Sequence, residues 1–304
     1  MITTLIGNTP MLKVDGGQES AGLYIKLESF NPGGSIKDRI AQAMVQDALD
    51  IGKLQPGTTI IEATSGNTGI GLAMVAAAHS IPLVLVMPDT MSIERRKLLS
   101  AYGARLILTP GAQGMQGAIS RAQELLAANN KYLHLDQFSN PANPRIHHAS
   151  TGPEIYHSLE GDLDAFVVGV GTGGTLTGAG GFLKSHIAKL KIYAVEPALS
   201  PILAGGNPGP HPLQGIGAGF VPKVLNTGLI DKVISVQGDD AVHTARELAS
   251  RHGVLVGFSS GAAVWAALQV ARDLGPGKRV VTVAPDSGER YLSTFLYTAE
   301  EEIS

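Results

Sequence analysis

The stretch Asn31-Pro-Gly-Gly-Ser-Ile-Lys-Asp-Arg39 places turn-forming residues directly before a helix start. Residues 32–34 favour a loop. Ser35 is followed three residues later by Asp38, which predicts a capping box with Asp in the Glu position and Ser35 as N-cap. Lys37 then falls in the first helical turn, where the helix dipole disfavours a cation. It is either an ordinary solvent-facing lysine or one whose neutral amine forms a Schiff base.

The length, composition and net charge of the chain narrow the possible classes of protein. The chain has 304 residues, enough for one large or two ordinary domains, and its 38 glycines and 16% charged residues suit an α/β fold with many tight turns. A net charge of −3 gives no reason to expect nucleic acid or an anionic membrane as partner. The apolar runs are too short to span a bilayer, and the first ten residues do not resemble a signal peptide.

Cysteine is absent, so neither disulfides nor thiolate chemistry contributes. This is compatible with a cytoplasmic protein. The nine histidines show no zinc-binding spacing, and we expect no metal site.

Apolar runs alternate with amphipathic segments along nearly the whole chain. Predicted strands cover 58–62, 82–87, 105–108, 132–138, 165–170, 192–195, 233–236, 254–258 and 279–284. Predicted helices cover 69–79, 115–129, 151–159, 241–252 and 261–274, with another beginning after Ser92. This alternation predicts an α/β fold of open, mainly parallel sheets flanked by helices. Because the strands are too many for one sheet, we expect two lobes, 1–145 and 146–304, divided in the turn cluster Asn140–Pro144.

The first glycine-rich turn is Thr64-Ser-Gly-Asn-Thr-Gly69, between a predicted strand and a predicted helix. Its hydroxyls and backbone N–H groups would converge on an anion at the helix N-terminus. An ordinary N-cap turn has the same residue types. The residues alone leave both interpretations open.

The second turn, Gly169-Val-Gly-Thr-Gly-Gly-Thr175, matches Gly-x-Gly-x-x-Gly after a strand. Glu196 follows Gly174 by about 22 positions, as a dinucleotide fingerprint requires. A nicotinamide-dependent oxidoreductase using Gly169 to Gly174 is therefore an alternative. The hydroxyls of Thr172 and Thr175 suit a terminal phosphate better than a bridging pyrophosphate.

The third turn, Gly257-Phe-Ser-Ser-Gly261, matches the Gly-x-Ser-x-Gly nucleophile elbow of hydrolases. That mechanism needs a histidine after the serine, and the last histidine of the chain is His252. We therefore interpret Ser259 as a buried hydroxyl directed at a ligand.

A Schiff-base lysine, an anion turn and a phosphate turn together fit pyridoxal phosphate. The whole chain resembles the cysteine synthase (O-acetylserine sulfhydrylase) family of fold-type II pyridoxal phosphate enzymes, whose two lobes are like those of tryptophan synthase β. The motifs that carry the resemblance are Ile6–Pro10, Asn31–Arg39, Thr64–Gly69, Met91–Leu99, Gln137–Phe138, Gly169–Gly178, Gln214–Phe220, Gly257–Ala262 and Ser287–Ser293.

The resemblance implies a role for each matching residue. Lys37 is the expected Schiff-base lysine and takes the substrate α-proton. Expected cofactor contacts come from Asn67 to the ring oxygen, from Ser259 to the pyridine nitrogen, and from Gly171, Thr172, Gly173, Gly174 and Thr175 to the phosphate. Expected substrate contacts come from Thr64, Ser65, Gly66, Thr68, Gln137 and Gly217. The segment before the lysine is expected to cross to the C-terminal lobe.

The implied reaction is replacement of the acetate of O-acetylserine by sulfide, giving cysteine. Cystathionine β-synthase-like and O-phosphoserine sulfhydrylase activities share the scaffold and stay open as alternatives. The resemblance also implies a homodimer, and a complex with the C-terminal tail of serine acetyltransferase is a further expectation.

Overall fold

The computed structural model describes residues 1–64 and 66–298. Its strands are β1 (Met11–Val14), β2 (Gly22–Leu27), β3 (Thr59–Ala63), β4 (Leu83–Pro88), β5 (Arg105–Thr109), β6 (Tyr132–Leu133), β7 (Ala165–Gly169), β8 (Lys191–Pro197), β9 (Lys232–Val236) and β10 (Arg279–Ala284). Its α-helices are α1 (Lys37–Asp50), α2 (Asn67–Ala78), α3 (Ile93–Ala101), α4 (Gly114–Ala128), α5 (Ala142–Ile146), α6 (Gly152–Ser158), α7 (Gly181–His186), α8 (Gly238–His252) and α9 (Phe258–Leu274). Within those described ranges, every helix is too short or too polar to cross a membrane.

The chain divides into two compact units. Unit 1 joins Met1–Ile6 to Asn31–Asn143, and unit 2 joins Gly7–Phe30 to Pro144–Ser304, of which the structure describes residues up to 298. The division therefore falls near the predicted turn cluster. The segment Gly7–Phe30 belongs to unit 2 although it precedes unit 1's main segment.

Unit 1 is built on a parallel sheet in the order β5-β4-β3-β6. All six residues of β4 are buried, as expected for a strand covered on both faces. Ile61, Val84 and Val86 of the sheet form a core with Ala118 and Ala122 of α4. Burial of this apolar surface stabilises the sheet, and because its strands are parallel, their carboxyl ends form one edge.

Unit 2 contains a sheet in the order β1-β2-β10-β7-β8-β9. The pair β1 and β2 is antiparallel, and the other neighbours are parallel. Helix α9 packs on β10 and β7 through small residues, and Ala262, Ala266 and Ala267 are completely buried. Small side chains let the helix axis approach the sheet closely, which fixes the position of the first turn of α9.

Each sheet has a point where the direction of strand addition reverses. In unit 1, β4 and β6 lie on opposite sides of β3, and in unit 2, β8 and β10 lie on opposite sides of β7. Open α/β sheets bind ligands beyond the carboxyl ends of the strands at such points. The turns after β3 and β7 are the first and second glycine-rich turns.

One predicted strand is absent from the structure and another is much shorter than predicted. Residues 254–258 form no strand, because Val256 makes only an isolated bridge to Ser287 and α9 already begins at Phe258. The strand predicted over 132–138 is reduced to β6. Asp136 has a left-handed backbone (φ 52°), which ends any extended conformation before Gln137.

Candidate active site

The loop before α1 is held by side-chain hydrogen bonds that differ from the predicted capping box. Ser35 Oγ accepts the N–H of Lys37 at 3.2 Å, and the Asp38 carboxylate accepts the N–H of Gly33 at 2.6 Å. The N-cap residue is Ile36, not Ser35. The box is replaced because Asp38 reaches further back, into the glycine loop. A Cβ on Gly33 would lie 2.6 Å from this carboxylate, so the loop closes tightly over it.

Lys37 is the first residue of α1 and is half-buried, whereas Asp38 and Arg39 beside it are buried. Helix α2 approaches the same point of α1. A Cβ on Gly71 of α2 would lie 3.1 Å from the carbonyl oxygen of Lys37 and 3.2 Å from Cβ of Ala41. This glycine therefore lets the backbone that carries Lys37 lie directly against α2, whose first turn carries Asn67 and Thr68.

The turn after β3 leads into the N-terminus of α2 through Gly66, the N-cap residue. Thr64 Oγ1 accepts the N–H of Gly66 at 3.4 Å. The Thr68 hydroxyl donates to Oε1 of Gln137 at 2.7 Å, and both side chains are buried. The structure thus brings together two predicted carboxylate ligands that lie 69 positions apart. Ser65, predicted for the same role, lies outside the described residues.

Two titratable residues, Glu62 of β3 and His134 directly after β6, form a pair near this turn in the chain. Nε2 of His134 lies 3.0 Å from Oε1 of Glu62, whose side chain is 5% exposed. The hydrogen bond to Glu62 raises the pKa of His134 above its ordinary value of 6.5, the negative charges of Glu62 and Asp136 act in the same direction, and burial opposes them. The protonated imidazole therefore stabilises the folded state.

We expect His134→Gln to remove a pH-dependent part of the stability. Because the pKa of His134 is raised by folding, its contribution is fully present below pH 6.5 and is lost as the pH rises through the folded-state value. Thermal melts of wild type and variant across this range should differ most at acidic pH and converge at alkaline pH. A difference in melting temperature that stays constant with pH would contradict this assignment.

In unit 2, the turn after β7 packs closely against the loop that contains Gly215. A Cβ on Gly171 would lie 2.3 Å from the carbonyl oxygen of Gly215, and Gly173 has φ +81°. Both positions therefore require glycine. Thr172 Oγ1 accepts the N–H of Gly174 at 3.4 Å, and the helical conformation begins at that residue.

The hydroxyl of Thr175 contacts a buried histidine, His147. Its Oγ1 lies 3.4 Å from Nε2 of His147, and Nδ1 of His147 lies 2.9 Å from Thr151 Oγ1. His147 is 2% exposed. It begins a π-helical segment, His147–Thr151, that contacts a second one, Leu176–Gly180. Such segments are frequent at functional sites.

The loop that contains Gly217 lies against this turn. The N–H of Gly217 donates to the carbonyl of Val170 at 3.0 Å, next to Gly171. Its φ is +70°, and a Cβ there would lie 2.5 Å from the Pro197 ring. Ser259 Oγ lies 3.4 Å from the point where a Cβ of Gly215 would stand. The structure therefore gathers the second and third glycine-rich turns and the Gly217 loop within unit 2.

The geometry argues against both alternative chemistries for these turns. The carboxylate of Glu196 accepts the N–H groups of Leu203 and Ala204 at 2.7 and 3.0 Å, so it anchors a loop and is not presented to a ribose. Ser259 lies inside the first turn of α9 and is not among the residues with positive φ. It is therefore not on the strained strand-to-helix turn of a nucleophile elbow.

Several supporting residues were not recognised in the sequence. Gly71, Gly215 and His147 act through contacts with residues far away in the chain. The two glycines inside the Ala-rich α2, Gly69 and Gly71, were a usable signal, because a glycine within a helix often has a packing reason. His147 carried no such signal, because the sequence of an adjacent histidine pair does not show that His147 is buried and His148 exposed.

The residues present fit pyridoxal phosphate. Gly171–Thr175 offers backbone N–H groups and two threonine hydroxyls at the start of a helical run, and this arrangement suits a phosphate dianion. The first turn of α1 offers a primary amine for an aldehyde.

Comparisons with known proteins agree with this fit. The model of the family described as pyridoxal-phosphate dependent enzyme matches residues 2–286. A Staphylococcus aureus protein named cysteine synthase is 54% identical over 303 residues, covering 99% of this chain and 97% of that protein.

Solved structures show the same likeness. Cysteine synthase from Entamoeba histolytica is 41% identical with a TM-score of 0.96, covering 100% of this chain and 92% of that one. An O-acetylserine-dependent cystathionine β-synthase from Helicobacter pylori is 40% identical with a TM-score of 0.91, covering 98% of each chain. These findings confirm the predicted fold class. Since the family match spans nearly the whole chain, the protein belongs to the pyridoxal-phosphate dependent enzymes.

Proposed function

We propose that this protein is a cysteine synthase, which replaces the acetate of O-acetylserine with sulfide and forms cysteine. The observation that carries the proposal is the pair of glycine-rich turns after β3 and β7. Each lies where the direction of strand addition reverses, and each contains hydroxyl side chains and glycines. One turn suits an amino-acid carboxylate and the other a phosphate. The 54% identity to the Staphylococcus aureus cysteine synthase supports the choice of reaction.

The residues of unit 1 would bind the substrate and move its proton. The Lys37 amine would take the α-proton and return it after the second half-reaction. The Gln137 amide would hold the α-carboxylate together with Thr64, Ser65, Gly66 and Thr68, whose hydroxyl is already joined to Gln137 by a hydrogen bond. Asn67, at the start of α2, would donate to the cofactor's ring oxygen.

The residues of unit 2 would hold the cofactor. Gly171 to Thr175 would bind its phosphate, Ser259 would face the pyridine nitrogen, and Gly217 would line the substrate pocket. Pyridoxal phosphate, when bound, supplies the electron sink that makes the substrate α-proton acidic. A hydroxyl at the pyridine nitrogen leaves that nitrogen largely neutral, which suits departure of a β-substituent. In the net reaction the Cβ–O bond to acetate breaks and a Cβ–S bond to sulfide forms.

We expect Ser259→Asp to lower turnover by on the order of 10²-fold while cofactor binding weakens much less. The carboxylate would hold a proton on the pyridine nitrogen and place an anion beside the ring. Turnover and the cofactor's visible absorbance after dialysis measure the two effects separately. Ser260→Ala is the control, because that neighbouring side chain is completely buried and has no place in the proposed site. Wild-type turnover in Ser259→Asp would contradict the electronic role.

The sulfur nucleophile is the main choice left within this proposal. The likeness to an O-acetylserine-dependent cystathionine β-synthase makes homocysteine the second candidate. Steady-state rates with O-acetylserine, O-phosphoserine and serine, each combined with sulfide or homocysteine, test both. We expect the highest kcat/KM for O-acetylserine with sulfide. A preference for homocysteine would replace the proposed reaction by cystathionine synthesis.

The turn from Thr64 to Thr68 also supports a protein partner. Donors arranged for an amino-acid carboxylate can bind a chain-terminal carboxylate. We expect a peptide copying the C-terminus of serine acetyltransferase to inhibit competitively against O-acetylserine, and its C-terminal amide not to inhibit. Equal inhibition by both peptides, or none by either, would exclude this complex.

We further propose a homodimer in the cytoplasm. The family resemblance is the support for both, and sedimentation of the purified protein tests the dimer.

A further inference from the structure

Asp136 has an unusual backbone conformation directly before a proposed substrate ligand. It is one of four non-glycine residues with positive φ among the described residues, together with Asn8, Ser80 and Glu160. A left-handed conformation is unfavourable for an L-residue, although Asp tolerates it better than most. Strain of this kind persists only where surrounding contacts hold it in place.

The contacts that hold Asp136 come from the residues that follow it. Its carboxylate accepts the N–H of Phe138 at 3.1 Å and the hydroxyl of Ser139. Its carbonyl accepts the N–H groups of Ser139 and Asn140 at 3.2 and 2.9 Å. The side chain and the backbone of Asp136 therefore close the same turn, and Gln137 lies at its centre.

The orientation of Gln137 follows from this turn. Its carbonyl accepts from Nδ2 of Asn143 at 2.8 Å, and its side-chain Oε1 accepts from Thr68 at 2.7 Å. Gln137 as a whole is only 8% exposed. Because Oε1 is used by Thr68, the free donors of the amide are the two N–H groups on Nε2, which make no hydrogen bond within residues 1–64 and 66–298. An amide N–H donor can bind a carboxylate oxygen.

We propose that Asp136 is a positioning residue for the substrate α-carboxylate, acting through Gln137. The inference rests on the proposed function, because it assigns the Gln137 amide to an amino-acid carboxylate. The carboxylate of Asp136 fixes the left-handed turn, the turn directs the Gln137 amide at Thr68, and the Nε2 donors are then aligned before the substrate arrives. Loss of the Asp136 side chain frees Gln137 and weakens carboxylate binding without changing the reacting groups.

Asp136→Gly removes the side-chain hydrogen bonds but permits the same backbone conformation, because glycine adopts positive φ without strain. We expect KM for O-acetylserine to rise about tenfold with kcat within about twofold of wild type, as for loss of a buried hydrogen-bond arrangement. Asp136→Asn retains an acceptor and tolerates the left-handed conformation, so it should restore most of the affinity. Ser80→Gly, at an exposed residue with φ 54° in the same unit, is the control and should leave KM unchanged.

A binding measurement gives a second readout. The visible absorbance of the bound cofactor reports the titration of the holoenzyme with L-serine and with L-serinamide, which lacks the carboxylate. We expect Asp136→Gly to weaken the apparent affinity for serine about tenfold and for serinamide by less than twofold. Equal weakening for both, or none for either, would overturn the positioning role. A wild-type enzyme that binds serine but does not convert O-acetylserine would overturn the proposed function and leave the carboxylate comparison intact.

Discussion

Replacing Lys37 by alanine is expected to abolish turnover, by on the order of 10³-fold or more. The amine at the first turn of α1 is proposed both to bind the cofactor's aldehyde and to carry the α-proton, so its loss removes two functions at once. Lys37→Arg should be equally inactive, because a guanidinium stays protonated and can serve neither as nucleophile nor as base. Steady-state rates with O-acetylserine and sulfide measure the loss.

The attachment site can be located directly. Borohydride reduction of the yellow holoenzyme should fix the cofactor covalently on the peptide that contains Lys37. Lys97→Ala, at an exposed lysine of α3 in the same unit, should keep both turnover and labelling. A reduced adduct found on a different lysine would refute the assignment of Lys37.

Gly171→Ala should have the next largest effect, the loss of the bound cofactor. The added Cβ would lie 2.3 Å from the carbonyl oxygen of Gly215, a backbone atom that cannot rotate away as a side chain would. Either the turn after β7 or the Gly215 loop must shift, and overpacking of this kind typically destabilises a protein by about 1–3 kcal/mol. We expect the variant to lose its visible absorbance on dialysis and to melt at a lower temperature.

Gly181→Ala is the matched control. It lies in the helix that follows the same turn, and its added Cβ would lie 3.6 Å from Leu229 Cδ1, which is an ordinary contact. Cofactor binding should be unchanged, and the melting temperature should rise slightly, because alanine favours a helix over glycine. Retention of the cofactor by Gly171→Ala at wild-type affinity would show that this turn does not hold the phosphate.

Local patterns were sufficient to predict the order of strands and helices. The run at β4 and the Ala-rich α2 were recognisable from apolar periodicity and from flanking turn residues. The predictions at 254–258 and 132–138 were wrong because short apolar runs do not reveal where a chain turns. Phe258 starts a helix and packs against Tyr291, and Asp136 turns the chain through hydrogen bonds to its neighbours.

The candidate site was partly visible in the same way. Each glycine-rich turn is local in sequence, so its loop character and hydroxyls could be recognised. What those turns contact could not be, because the close approaches of Gly71 to Lys37 and of Gly171 to Gly215 join distant segments. The left-handed conformation of Asp136 was equally hidden, since it depends on Ser139 and Asn140.

The pairing of β2 with β10 has a consequence for how the protein is made. Gly22 lies beside Arg279 in the same sheet, roughly 250 residues apart, so this contact is among the most non-local in the chain. The main segment of unit 1, Asn31–Asn143, is continuous and leaves the ribosome early. The β1–β2 pair is synthesised before that segment. The free edge of β2 is paired only after β10, the last strand of the described residues, has been synthesised. During translation the hairpin therefore exposes an open edge, which makes nascent chains of this protein candidates for chaperone binding until synthesis is nearly complete.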